Sequence, residues 1–129
     1  NKGTSMEEVF ESISLCHDNG IKVNANVILG WKNLTRDDIA DLKYFMETIE
    51  NNAVTTLQLR WLFAHPYTEI HETYSGGEPV RLGPFNSGFN VKLNDSQMEI
   101  NLEAAQLIKE YCSKKSIHLE GFKNLQKGL

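Results

Sequence analysis

Two segments of the chain alternate in residue type as β-strands do, and each follows a segment with the apolar spacing of an amphipathic helix. The predicted strands cover residues 21–29 and 55–63. Parallel strands need long crossover connections, which are usually helices, and these crossovers are right-handed. The alternation of helix and strand therefore predicts an α/β fold built on a parallel sheet.

Each predicted strand has one apolar face and one mixed face. The mixed faces carry Asn24, Asn26 and Ile28 in the first strand, and Thr56, Gln58, Arg60 and Leu62 in the second. A central strand of a doubly wound sheet is apolar on both faces, because helices cover both. In an α/β barrel only the outer face packs on helices, and the inner face lines the lumen. The pattern favours a partial barrel; an antiparallel or edge sheet with one solvated face is the alternative.

Helix boundaries are marked by capping residues. The predicted N-caps are Thr4 for the first helix, Thr35 for the second, and Asp95 or Ser96 for a long third helix. The first two are followed three residues later by an acidic residue, as in a capping box. Gly20 is expected to end the first helix in the left-handed conformation.

The chain is expected to have two parts. Residues 1–74 hold the strand–helix units, and residues 75–129 form a C-terminal extension. The extension opens with a stretch rich in Gly and Pro that indicates turns. Short strands near residues 80–82, 89–93 and 117–119 are predicted around the long helix, and one helical turn is predicted before residue 74.

Composition excludes several classes of partner. The net charge of the 129-residue chain is −4 and Lys and Arg do not cluster, so a nucleic-acid partner is not expected. No apolar run reaches the ~20 residues of a membrane span, and no signal-peptide pattern is present. The two cysteines, Cys16 and Cys112, lie among apolar residues of predicted helices and are expected to be free thiols. A reducing cytoplasm fits these features best.

Several motifs resemble the second half of radical SAM (S-adenosylmethionine) enzymes. The run KGTS at residues 2–5 precedes a helix, GIKV at residues 20–23 enters a strand, and VILG at residues 27–30 ends it. In that family the fifth barrel strand often ends in I-x-G-x-P-G-E-T. This chain keeps Ile28, Gly30 and Thr35 of that phrase but has Lys-Asn-Leu in place of Pro-Gly-Glu.

The second strand carries a weaker match to the same family. Its sixth strand often ends in P-x-P-G-T, of which this chain keeps Pro66 and Thr68 but replaces the glycine with Tyr67. The resemblance covers roughly residues 2–74. It implies adenine contacts from Ile28 and Gly30 and from the backbone near Leu62, Phe63 and Ala64.

Polar residues on the mixed faces are the candidate substrate contacts. They are Asn24, Asn26, Gln58, Arg60 and, at the end of the second strand, His65. The Arg60 guanidinium suits a carboxylate or phosphate, although a structural ion pair would explain it equally. Three alternatives likewise remain for the two asparagines: they bind substrate, they form hydrogen bonds to other residues inside the barrel, or they face solvent. No catalytic or metal-binding residue is predicted.

The family's C-x3-C-x2-C loop, which binds a [4Fe–4S] cluster, does not occur in this sequence. The resemblance then implies that the chain begins after the fourth strand, and that the partner holding the cluster is the N-terminal half of the same enzyme. In the whole enzyme the cluster would cleave S-adenosylmethionine, and the resulting radical would take a hydrogen atom from a substrate that the sequence does not specify. The isolated chain is expected to be inactive.

Two other interpretations remain open. The chain is alternatively a self-contained α/β binding or interaction module without catalysis, or a fragment of some other barrel enzyme. A barrel fragment is expected to self-associate through its unpaired sheet edges, whereas a complete module should be monodisperse.

Overall fold

The structure is a computed structural model that describes residues 5–49, 53–64, 79–81, 87–90 and 93–121. In chain order, the helices and strands are α1 (Met6–Asp18), β1 (Val23–Leu29), α2 (Arg36–Thr48), β2 (Val54–Trp61), β3 (Phe63–Ala64), β4 (Pro79–Arg81), β5 (Ser87–Asn90), α3 (Asp95–Lys115) and β6 (His118–Glu120).

The main sheet is parallel and runs β1–β2–β6, in the order of the chain. Its core joins Ile13 of α1, Met46 of α2 and Ile108 of α3 to the buried side chains of β2, such as Leu57 and Leu59. Right-handed crossovers that advance in one direction along a sheet all lie on the same side of it. The described part of the fold is therefore two layers, with three helices on one face of the sheet.

Strand β1 shows why the sheet takes this orientation. The side chains of Val23, Ala25, Val27 and Leu29 pack in the core, and those of Asn24, Asn26 and Ile28 are exposed. Period-two alternation puts the apolar set against the helices, because a one-residue shift would bury both asparagines. The predicted division of faces in β1 is confirmed.

The predicted α/β class with a parallel sheet is confirmed at this level. Among the described residues the sheet has three strands and stays open rather than closing into a barrel. The extension predicted for residues 75–129 contributes α3 to the same core and β6 to the same sheet. Residues before and after position 75 thus share one hydrophobic core.

A second sheet is antiparallel, with the order β3–β5–β4. Only Leu62 lies between the end of β2 and the start of β3, so this small sheet starts at the carboxyl end of the parallel sheet. The predicted strands near residues 80–82 and 89–93 correspond to β4 and β5, with boundaries shifted toward the N-terminus.

Two of the three helix N-caps differ from the predicted residues. Ser5 caps α1, since its Oγ accepts from the backbone N–H of Glu8 at 3.2 Å. Asn94 caps α3 in a capping box with Gln97, because an asparagine caps as well as the Asp or Ser that follow it. The capping box of α2 at Thr35 is confirmed. The positive φ of Gly20 (69°) is confirmed just after α1.

Side chains of α3 close the end of α2. Lys115 Nζ donates to the backbone carbonyls of Glu47 (2.9 Å) and Ile49 (2.8 Å), which the helix leaves unpaired. The Tyr111 hydroxyl donates to Glu47 Oε1 at 2.6 Å, and this hydrogen bond raises the pKa of Tyr111 above its ordinary value. These contacts fix how α2 and α3 lie side by side on the sheet.

Candidate functional site

The sheet face opposite the helices is the candidate site, and it is called the open face below. Strand register brings Asn26 beside Gln58, Ile28 beside Arg60, and Gln58 beside Glu120. All three strands of the parallel sheet contribute to it. Its members are Asn24, Asn26, Ile28, Thr56, Gln58, Arg60, His118 and Glu120.

A row of hydrogen-bonded side chains crosses the open face from β2 to β6. The Gln58 amide lies at its centre, where Nε2 donates to Glu120 Oε2 and Oε1 accepts from Arg60 Nη2, both at 3.0 Å. His118 Nε2 lies 3.5 Å from the other carboxylate oxygen of Glu120. Gln58 is thereby held in one orientation, and it separates a cationic from an anionic group on an accessible surface.

This row is suited to recognition of a polar ligand. A guanidinium has five N–H donors, and the described contacts of Arg60 use one nitrogen, so the group retains donors for a carboxylate or phosphate. Exposed Asn24 and Asn26 add amide donors and acceptors on the neighbouring strand. The predicted substrate contacts on β1 and β2 thus lie on one continuous surface.

A buried asparagine on α3 holds the carboxyl end of β1 in place through hydrogen bonds. Asn101 of α3 is fully buried, and its Oδ1 accepts from the backbone N–H of Gly30 (2.8 Å) and of Trp31 (3.2 Å). Its Nδ2 donates to the carbonyls of Trp31 (2.9 Å) and Gln97 (2.8 Å). The Asn101 amide thus accepts two hydrogen bonds and donates two, which is its full capacity. These bonds position the loop that follows β1.

Gly30 is required at this point for two reasons. Its φ is +98°, and a Cβ there would lie 2.9 Å from Cε2 of the Trp61 indole. A side chain is therefore excluded both by the backbone conformation and by the ring packed against it. Gly30 is itself buried and its N–H is bonded to Asn101, so the predicted adenine contact at Gly30 is covered in this structure.

The two predicted adenine contacts Ile28 and Leu62 differ in accessibility. Ile28 is 46% exposed on the open face, whereas Leu62 is 5% exposed and packs against Trp31 and Leu93. Leu62 comes directly after β2, which ends at Trp61, and it belongs to a small apolar cluster separate from the core beneath the helices. Ile28 is therefore open to a ligand, whereas Trp31 and Leu93 cover Leu62.

The remaining predicted positions follow β2. The backbone of Phe63 and Ala64 forms β3 and pairs with Asn90 and Phe89 of β5. His65 and the helical turn predicted before residue 74 lie outside the described residues.

Sequence reasoning missed three residues of this site. His118 and Glu120 were missed because a strand of three residues is too short to show which face each side chain takes. Asn101 had a detectable signal, since it shares the helical spacing of the buried Ala105 and Ile108 and is a polar residue on an apolar stripe.

The described residues contain neither a cluster of metal ligands nor a membrane-spanning helix. In the ranges that the structure covers, no three His, Cys, Asp or Glu side chains converge to hold a metal ion. Within those same ranges no helix combines the length and apolar character needed to cross a bilayer. Both cysteines are free thiols, with Cys112 buried and Cys16 partly exposed.

Comparison with known proteins identified no relative. The chain matches no family model, no curated protein and no solved structure.

Proposed function

We propose that this chain is the C-terminal part of a radical SAM enzyme, in which the open face forms part of the substrate-facing wall. One observation carries the proposal: the strands of the parallel sheet follow each other in chain order, with the three described helices on one face and polar side chains on the other. A segment of an α/β barrel wall has this layout.

The polar face, more than the strand order, favours a barrel segment, because each half of a doubly wound sheet also has sequential strands with helices on one face. A doubly wound sheet reverses its strand order near the middle, which sends helices to both faces. The described sheet does not reverse, and its helix-free face bears charged and amide side chains in place of an apolar surface. The family-like motifs at residues 20–30 supply the more specific part of the proposal.

Each half of the enzyme has a distinct role in this proposal. The N-terminal half would hold the [4Fe–4S] cluster that reduces and cleaves S-adenosylmethionine. This chain would supply an apolar contact from Ile28 to the adenine, with the loop at Gly30 held in place by Asn101. Arg60, Asn24 and Asn26 would bind polar groups of the substrate.

The first test is the reading frame upstream of Asn1 in the parent gene. The proposal requires a C-x3-C-x2-C loop that follows a predicted strand and precedes further strand–helix units. Without that loop upstream, the family assignment is wrong.

The second test uses the intact protein, purified without oxygen and reduced with dithionite. Arg60→Ala and Asn26→Ala should retain formation of 5′-deoxyadenosine, because neither residue is placed near the cluster, while consumption of substrate falls. Glu99→Ala, an exposed residue of α3, is the matched control and should change neither. If loss of Arg60 leaves substrate consumption intact, the open face is not the substrate wall.

A self-contained binding module is the second candidate, and the polar row favours it. Arg60, Gln58 and Glu120 are bonded to one another on an exposed surface, so the open face needs no further layer to satisfy them. This candidate predicts a monodisperse chain that unfolds in one cooperative transition without its N-terminal half.

A further inference from the structure

Within the described residues, the outer edge of β1 presents backbone groups that no other strand pairs with. Val23 N–H donates to Ala53 O and Leu29 O accepts from Leu62 N–H, so odd-numbered residues of β1 direct their backbone groups toward β2. The backbone groups of Asn24, Asn26 and Ile28 consequently point away from the sheet. Among the described residues β1 is the last strand on that side.

Trp31 marks where this edge stops. Its indole Nε1 donates to the carbonyl oxygen of Ile28 at 2.8 Å, which occupies the last outward-facing acceptor of the strand. The free groups that remain belong to Asn24, Asn26 and the N–H of Ile28. They match an added strand of about five residues.

An apolar groove of about 360 Å³ runs beneath the same edge, between α1 and β1. It is lined by Val9, Ser12, Ile13, Cys16, Val23, Ala25, Asn26 and Phe45. Asn26 carries its side chain on the opposite face, so it is the backbone of the edge that borders the groove. A strand beside β1 would direct every second side chain into this space.

Edge and groove lack the features that protect natural sheet edges. Strand β1 contains no charged residue and no proline, and the one register shift in its pairing with β2 adds an extra residue, Thr55, to β2. Helix α1, above the groove, has acidic residues and neither Lys nor Arg. Its exposed acidic side chains are Glu7, Glu8, Glu11 and Asp18.

We propose that β1 and this groove bind an extended segment of another polypeptide, which adds as a strand with apolar side chains at alternate positions and basic residues at its flank. Backbone hydrogen bonds supply the affinity, and the groove selects the side chains. The acidic surface of α1 favours a basic partner and disfavours a second copy of this chain, whose own α1 is acidic. The proposal rests on the second candidate function, a self-contained binding module, because in a barrel this edge of β1 would instead pair with the preceding strand of the N-terminal half.

The test is binding of a fluorescent peptide with alternating valine and threonine and two lysines at one end, measured by anisotropy with the full chain. Ser12→Phe fills the groove and should weaken binding about tenfold or more. Ser14→Phe on the same helix is exposed but does not line the groove, and should leave binding unchanged. Ser12 has only a local bond, to Glu8 O, so the fold should tolerate its loss; circular dichroism verifies this.

Backbone methylation of the peptide tests strand pairing itself. In a strand, residues whose side chains lie on the same face also direct their backbone N–H groups toward the same edge. A methylated nitrogen cannot donate to β1. If the valines enter the groove, methylating their nitrogens therefore abolishes parallel pairing, and methylating the threonine nitrogens abolishes antiparallel pairing. Loss of binding in one series and retention in the other supports strand addition, as does weaker binding when the lysines are replaced by glutamates.

Three outcomes overturn the proposal. They are no binding at millimolar peptide, equal binding of both methylated series, and equal effects of the two serine variants. A dimer in sedimentation that Ser12→Phe dissociates would assign the groove to a second copy instead. None of these peptide results bears on whether the parent gene encodes a cluster loop, whereas such a loop would by itself assign the β1 edge to the N-terminal half; the two proposals are therefore tested separately.

Discussion

Asn101 Oδ1 lies 2.8 Å from the backbone nitrogen of Gly30, and this hydrogen bond ties α3 to the end of β1 across 71 residues of sequence. The contact is fully buried, and the same side chain satisfies three further backbone groups. A single amide thus determines where the first strand ends relative to the last helix.

Truncating this amide should destabilise the whole fold. Asn101→Ala leaves buried N–H and C=O groups of the Gly30–Trp31 loop without partners, and we expect a loss of roughly 2–4 kcal/mol in the free energy of unfolding. Urea denaturation measures it. The control Asn24→Ala, on the exposed face, should stay within about 0.5 kcal/mol of the unaltered chain. Equal losses of unfolding free energy in the two variants would contradict the structural role of Asn101.

Gly30→Ala should destabilise the chain more than Gly20→Ala. Both glycines have positive φ, but only at Gly30 would the new methyl group meet the Trp61 ring. We expect about 1 kcal/mol for Gly20→Ala from backbone conformation alone, and roughly 2–4 kcal/mol for Gly30→Ala. Thermal unfolding of both variants gives the comparison, and a reversed order would show that the indole moves aside freely.

Removing charge from the open face should leave stability nearly unchanged. Arg60 bonds only to Gln58 among the described residues, and exposed polar contacts contribute about 0–1 kcal/mol. Arg60→Met is therefore expected to shift the free energy of unfolding by less than about 1 kcal/mol. Leu59→Ala, its buried neighbour, should cost about 2–5 kcal/mol. A large effect at Arg60 would indicate a structural role and weaken its assignment to ligand binding.

Stability should fall in alkaline solution partly through Cys112. Burial raises the pKa of this thiol above its ordinary value of 9.0, so the unfolded chain loses the proton first. The contribution is complete below pH 9.0 and is lost as the pH rises through the folded-state pKa. The free energy of unfolding should therefore decline less steeply above pH 9 in Cys112→Ala than in the unaltered chain. Tyr111 titrates nearby, so both chains should also carry Tyr111→Phe.

Local patterns in the sequence were sufficient for the parts of the fold that local physics determines. Alternation identified both faces of β1, because burying Asn24 or Asn26 would leave amides without partners. Capping chemistry located each helix start to within one or two residues. It could not choose between Thr4 and Ser5, since either hydroxyl accepts a backbone N–H equally well.

Features that depend on distant partners were not predictable in this way. Asn101 bonds to backbone atoms about seventy residues away, and no local sequence pattern predicts which atoms these are. The burial of Leu62 comes from Trp31 and Leu93, which no alternation pattern indicates. The polar row needs the register of β6 against β2, which long-range packing determines.

The position of β6 has a consequence for how the protein is made. Gln58 and its partner Glu120 are 62 residues apart, so β2 waits for its second neighbour until nearly all of the described chain has been synthesised. At about 5–20 residues per second, this interval lasts roughly 3–12 s. During it the nascent chain presents one unpaired side of β2 and the apolar surface that α3 later covers. Ribosome-associated chaperones that bind apolar extended segments would therefore bind this nascent chain at β2.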